Sequence, residues 1–191
     1  MCTGPGWKAF GVRPRRPESG FRSSKSTRYT VSQAADLAGI KAAVAAYSRG
    51  LDRLDEQLML SAYWPDGSDD RYDGDISVFV EQSVRLHSQF SWTMHCLQNH
   101  LIEFDADGET ARGELYVTAL LQSREPQGLH TFYGRYLDHY ERRDGGEWKI
   151  LRRVCVHEGS ATAAVMPAPF SFETLRPGTF DRPLGGRPLG P

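Results

Sequence analysis

The stretch WTMHCLQNHLIEFDADGETARGELYVTALLQSREPQGLHTFYGRYLDHYERRDGGEWKILRRVCVHE, residues 92–158, decides the fold. It is rich in β-branched and aromatic residues and is cut by three turn signals, Asp107-Gly108, Pro126-Gln127-Gly128 and Asp144-Gly145-Gly146. Such residues supply the backbone conformations that chain reversals need. The reading predicts four strands, about 92–105, 109–124, 129–143 and 147–158, joined as an antiparallel meander. Upstream, Leu37, Ile40, Val44, Tyr47 and Leu51 recur at steps of three and four, which places them on one face of a helix. Ser32 is the expected N-cap, and Gly50 weakens the helix near its end. Asp55 is expected to cap a second helix running through Tyr63, stopped by Trp64-Pro65-Asp66-Gly67. Asp75 is expected to cap a third, with Ile76, Phe79, Val80, Val84 and Leu86 inward. Helices followed by strands make an α+β domain: three N-terminal helices packed on a strongly curved, mainly antiparallel sheet that encloses a pocket.

The composition bounds the rest. With 191 residues, 39% of them hydrophobic and 25% charged, one domain is expected, large enough to fold without disulfides or a structural metal. No run of about 18 apolar residues is present, so no membrane span is expected. Cys2, Cys96 and Cys155 are odd in number and contain no CxxC pair, which points to a reducing compartment and a cytoplasmic protein. The formal net charge of -1 averages three unlike segments. Residues 1–30 carry seven Lys/Arg against one acid, Glu18, and read as a disordered basic tail. Residues 161–191 hold prolines at 167, 169, 177, 183, 188 and 191 and read as a Pro/Gly-rich tail. Between them, residues 31–160 hold 13 basic and 21 acidic side chains, which argues against nucleic acid as a partner.

Several residues in that segment could carry chemistry, each beside a plainer role. Around the end of the first helix, ideal periodicity sets Asp55 about 50° and Asp52 about 110° from the centre of the apolar stripe. Asp55 is then the more inward carboxylate, unless it is a helix cap, and from spacing alone Asp52 reads as a solvated charge. Strand alternation puts Thr93, His95 and Leu97 on one face and Met94, Cys96 and Gln98 on the other. A histidine so placed can be a general base or a half-buried structural residue. Arg152 and Arg153 interrupt the apolar last strand, so one of them points inward, toward an anionic ligand or an internal carboxylate. His95 and Cys96 point apart and no zinc-type spacing occurs, so no metal site is expected. There is no phosphate-binding glycine loop and no GxSxG.

The order of elements, together with Tyr47-x4-Asp52-x2-Asp55, Trp64 and Asp66, Thr93-x-His95 with Asn99, Gly134-Arg135-Tyr136-x-Asp138 and Asp144-Gly145-x2-Trp148-Lys149-Ile150, resembles the SnoaL-like branch of the NTF2-like superfamily. The branch includes scytalone dehydratase, bile-acid dehydratase and the lindane dehydrochlorinase. The resemblance implies a cone-shaped fold and a cofactor-independent lyase (dehydratase or other eliminating enzyme) or isomerase acting on a small hydrophobic cyclic substrate. It implies His95 as base, Asp52 as its orienting carboxylate in preference to Asp55, and Tyr47 and Arg153 as stabilisers of the leaving group, with Arg152 as the alternative. Trp64, Leu97, Thr118 and Tyr136 are the implied pocket lining. Relatives carry a second acid or His some two dozen residues after the first; here Thr118-Ala119-Leu120 stands there. A homo-oligomer, dimer or trimer, is implied as well. The same fold also serves as non-catalytic binding and assembly domains and as the small subunit of ring-hydroxylating dioxygenases.

Overall fold

The computed structural model describes residues 29–124 and 128–165. The expectations for the two tails concern residues almost wholly outside that range. The first helix, α1 (Val31–Arg53), starts at Thr30, not at Ser32. Thr30 forms a reciprocal capping box with Gln33, which satisfies two backbone N–H groups. The helix continues through Gly50 and ends at Leu54, whose φ of 55° is left-handed. Gly50 serves a crossing: a Cβ there would sit 2.5 Å from the backbone nitrogen of Met59. Met59 belongs to α2 (Glu56–Ser61), capped as expected by Asp55, which accepts from the Leu58 N–H at 3.0 Å.

Three helices do not precede every strand. Tyr63 leaves α2 and opens β1 (Tyr63–Asp69), which pairs in parallel with the last strand. The switch from helix is fixed by the Ile150 N–H, which donates to the Ala62 carbonyl. Then come α3 (Ile76–His87), β2 (Phe90–Phe104), β3 (Thr110–Ser123), β4 (Gly128–Arg142) and β5 (Trp148–Ala164). The last four form the predicted meander.

The expected strongly curved sheet enclosing a pocket is not found. The five strands form one open, mixed, mainly antiparallel sheet in the order β1-β5-β4-β3-β2, with β1 and β2 as its two edges. The ladder ends at β1 for a local reason. This strand is seven residues long, contains Pro65 and shifts register between Tyr63 and Ser68, so it offers no regular second edge on which β2 could close.

The α1 stripe of Ile40, Val44, Tyr47 and Leu51 packs in one core with Ile102, Leu115, Val117, Tyr136, Tyr140 and Ile150. Each such side chain contributes about 1.5–3 kcal/mol when fully buried. On β3, Ala111, Leu115, Val117 and Ala119 are buried while Arg112 and Tyr116 face solvent, the alternation of a sheet with helices on one face. β5 breaks that parity: Tyr140 pairs with Ile150 and His139 with Arg152, leaving Leu151 as an extra residue. This bulge turns Arg153, not Arg152, into the core beside Ile150.

Candidate functional site

Where the last turn of α1 meets the start of β2, the Asp52 carboxylate is buried and fully used. One oxygen accepts from the His95 backbone N–H at 2.7 Å. The other accepts from the Thr93 hydroxyl at 2.9 Å and from His95 Nδ1 at 2.7 Å. Asp52 lies on the flank of the apolar stripe, yet β2 packs against that flank and encloses it. Burial alone would raise its pKa. The hydrogen bonds and charge of His95, with Thr93, outweigh that and hold the group below the ordinary carboxylate value. An ionised carboxylate only accepts, so Nδ1 carries a proton, and in the neutral ring Nε2 is the lone-pair acceptor. The His95 side chain is only 5% exposed. That is the arrangement of a positioned general base.

A second polar cluster lies among the aromatic residues of the core. Arg153 is 0% exposed and donates Nε and Nη2 to Asp138 at 2.8 and 2.6 Å. Tyr140 donates to the same carboxylate at 2.7 Å, and His100 Nε2 lies 3.2 Å from the Tyr140 oxygen. The guanidinium stacks between two rings, 4.3 Å from the Tyr47 centroid and 4.0 Å from that of Tyr136. Its Nη1 has no hydrogen-bond partner among the described residues. The internal ion pair foreseen for one of the two arginines is therefore present, with one donor to spare.

The Tyr47 oxygen accepts from Arg71 Nη2 at 2.8 Å, and Arg71 grips Asp69 at 2.6 and 2.7 Å. Asp69 in turn accepts from Tyr63 at 3.0 Å. The sequence offered no signal for Arg71 or Asp69, which sit in an acidic, glycine-containing stretch with no periodicity. His87, the last residue of α3, was also missed. Its ring lies 5.8 Å from the His95 ring, and Nδ1 is 2.9 Å from the Ser83 carbonyl. Its charged form is penalised by burial and then by His95, which bring its pKa from 6.5 down to about 4.

Of the implied pocket residues, Tyr136 is buried against Tyr47 and Arg153. Leu97 is on the His95 side of β2 and partly exposed. The other two are elsewhere. Thr118 accepts from Gln98 on the opposite sheet face, because its neighbours Val117 and Ala119 take the buried positions. Trp64 points away from buried Tyr63, donates to the Glu141 carbonyl and lies under Arg143 and Lys149. A separate open groove of about 370 Å³, lined by Ala35, Gly39, Ala46, Arg142 and Trp148, shares no residue with the dyad. Among the described residues no group of three or more His, Cys, Asp or Glu is placed to hold a metal. No described helix is long and apolar enough to cross a membrane.

The SnoaL-like domain family matches residues 32–154. No curated protein matches the chain. Among solved structures, a type 2 hexachlorocyclohexane dehydrochlorinase superposes with a TM-score of 0.64 at 22% identity, over 72% of this chain and 95% of its own. The type 3 enzyme from Novosphingobium barchaimii LL02 gives 0.63 at 19%, over 71% and 97%. A protein from Novosphingobium aromaticivorans DSM 12444, provisionally named a scytalone dehydratase, gives 0.62 at 19%, over 71% and 93%. At these identities the likeness is one of fold.

Proposed function

We propose that this chain, which belongs to the SnoaL-like domain family, is a cofactor-independent lyase or isomerase acting on a small hydrophobic cyclic substrate. The observation that carries the reading is the His95–Asp52 pair, with Nδ1 bound at 2.7 Å and Nε2 without a hydrogen-bond partner among the described residues. His95 Nε2 takes a proton from a ring carbon. In elimination, the C–H electron pair becomes a C=C bond and the leaving group departs from the adjacent carbon with its own pair. In isomerisation, the same proton returns at another carbon. Asp52 holds the ring in position and stabilises the imidazolium that forms. On the leaving-group side, Tyr47 accepts from Arg71, so its own proton is available for donation. Arg153 supplies fixed positive charge at the Tyr47 ring and the spare Nη1 donor.

Relatives of this fold are named for hexachlorocyclohexane and scytalone, and those two compounds are the first substrates to try. His95→Ala and Asp52→Asn should each lower turnover, His95→Ala by about 10²–10⁴-fold, with circular dichroism unchanged. Turnover that survives both changes removes the dyad from the account.

The sheet face opposite the helices exposes Met94 and Tyr133, 45% and 46% accessible, together with Tyr116. This face favours a homo-oligomer, dimer or trimer, and Tyr133→Lys with Tyr116→Lys should shift the sedimentation coefficient to that of a monomer. A wild-type protein that is already monomeric contradicts it. The unpaired Cys96 and Cys155 suit a cytoplasmic, reducing location. Retention of the protein in the periplasm or medium on fractionation would oppose that placement.

A further inference from the structure

We propose that His87 is a substrate-binding residue of this site, a hydrogen-bond acceptor that takes a ring hydroxyl of the substrate beside the proton-abstracting His95. The proposal rests on the reading of His95 as the base and narrows its substrate to a cyclic compound bearing an O–H group.

The end of α3 fixes the orientation of the ring. His87 closes α3, where the last carbonyls have no partner within the helix. Its Nδ1 lies 2.9 Å from the Ser83 carbonyl, one turn back. A carbonyl only accepts, so Nδ1 must donate, which assigns the ring proton to that nitrogen. Burial and the adjacent His95 keep the ring uncharged, with its pKa at about 4. The remaining nitrogen, Nε2, is then a lone-pair acceptor at any neutral pH, and none of the described residues donates to it. Phe90 supports the ring at 6.2 Å between centroids, and His95 lies at 5.8 Å with the planes tilted by 33°.

Two neighbouring imidazoles thus each have Nδ1 tied to the protein, His95 to Asp52 and His87 to Ser83, with Nε2 unclaimed among the described residues. They differ in what they can do. His95 has a carboxylate to stabilise its charged form; His87 has a neutral carbonyl and no counter-ion in contact. His95 can therefore accept a proton outright, whereas His87 can accept only a hydrogen bond. A ring carrying an acidic C–H and a nearby hydroxyl satisfies both acceptors together. A purely halogenated or hydrocarbon ring offers His87 Nε2 no donor, and displaces any water bonded there without replacing its hydrogen bond.

The test uses phenol and toluene, two rings of matched shape of which only the first can donate. Each is titrated into ¹⁵N-histidine-labelled full-length protein, with binding followed at the His87 ring nitrogens. Free protein should show His87 as the Nδ1–H tautomer at neutral pH, and phenol alone should shift its Nε2 resonance upfield. His87→Phe should weaken phenol binding about threefold to tenfold, the scale of one neutral hydrogen bond, and leave toluene within about twofold. His87→Gln, which keeps an acceptor, should recover most of the phenol affinity; it also covers the case in which His87→Phe fails to fold. A proton found on Nε2 in the wild-type protein, or parallel losses for phenol and toluene, overturns the proposal. Either result leaves the dyad untouched, since His95→Ala turnover tests that separately.

Discussion

Two buried carboxylates hold basic side chains in this molecule, and they leave them in different conditions. Asp138 takes two guanidinium nitrogens of Arg153 and the Tyr140 hydroxyl, all within 2.6–2.8 Å. Asp52 takes the Nδ1 and backbone nitrogen of His95 and the Thr93 hydroxyl, all within 2.7–2.9 Å. The two anions are equally well satisfied; their basic partners are not alike. A guanidinium cannot release its proton in a protein, so Asp138–Arg153 is a permanent charge pair between aromatic rings. An imidazole can gain or lose a proton, and Asp52 occupies only one of its two nitrogens. Burial and pairing are common to both sites, and the spare lone pair is what separates a reactive pair from a supporting one.

The largest effect that would break this comparison is on stability. Asp138→Ala strands a buried Arg153 that has no neutral form, and should destabilise the fold by about 3–5 kcal/mol. Asp52→Ala should cost markedly less, because a neutral imidazole leaves no stranded charge behind. Urea unfolding of the two variants measures the difference, and equal losses would mean that His95 is as locked as Arg153.

A second effect concerns acid. The unfolded chain protonates its histidines near 6.5, while folded His87 and His100 resist protonation until about pH 4, each mainly because of burial. Between those values the unfolded state binds more protons, so stability should fall steadily as pH is lowered from 6.5 to 4. Asp52, depressed in the fold, adds stability above its ordinary 3.8 that is lost only as pH falls through its folded value. The acid loss should therefore begin well above the carboxylate range. His87→Phe should flatten its upper part in urea midpoints measured from pH 7 to 4.5, and an unchanged slope would show that His87 is protonated as easily in the fold as outside it.

How much of this was legible in the sequence follows from the range of each interaction. The four long strands and the caps at Asp55 and Asp75 were readable because turn residues and capping side chains act within a few positions. Thr30 was missed in favour of Ser32 because the reciprocal Gln33 decides between them. β1 has the local signals of a helix end, because what makes it a strand is β5, some 87 residues away in register at Tyr63 and Ile150. Simple alternation from Ile150 would have sent Arg152 inward, and only the bulge at Leu151, a property of the β4 pairing, selects Arg153. At the site, Asp52 and His95 were legible through family resemblance, whereas helical periodicity alone favoured Asp55. Arg71 and His87 were not legible, since one lies in an irregular segment and the other gains its role from packing against β2. The open sheet corrects the expected enclosing cone, and the pairing of its edges is set by no local pattern.

The central claim is that Asp52 fixes the proton on His95 Nδ1 and leaves Nε2 as the base. Two-bond ¹H–¹⁵N correlation spectra of the ring at a pH where His95 is neutral test this directly. The wild-type protein should show the Nδ1–H tautomer, and Asp52→Asn should release the ring toward the Nε2–H form that free histidine prefers. A wild-type His95 protonated on Nε2, unchanged by the substitution, would contradict the account.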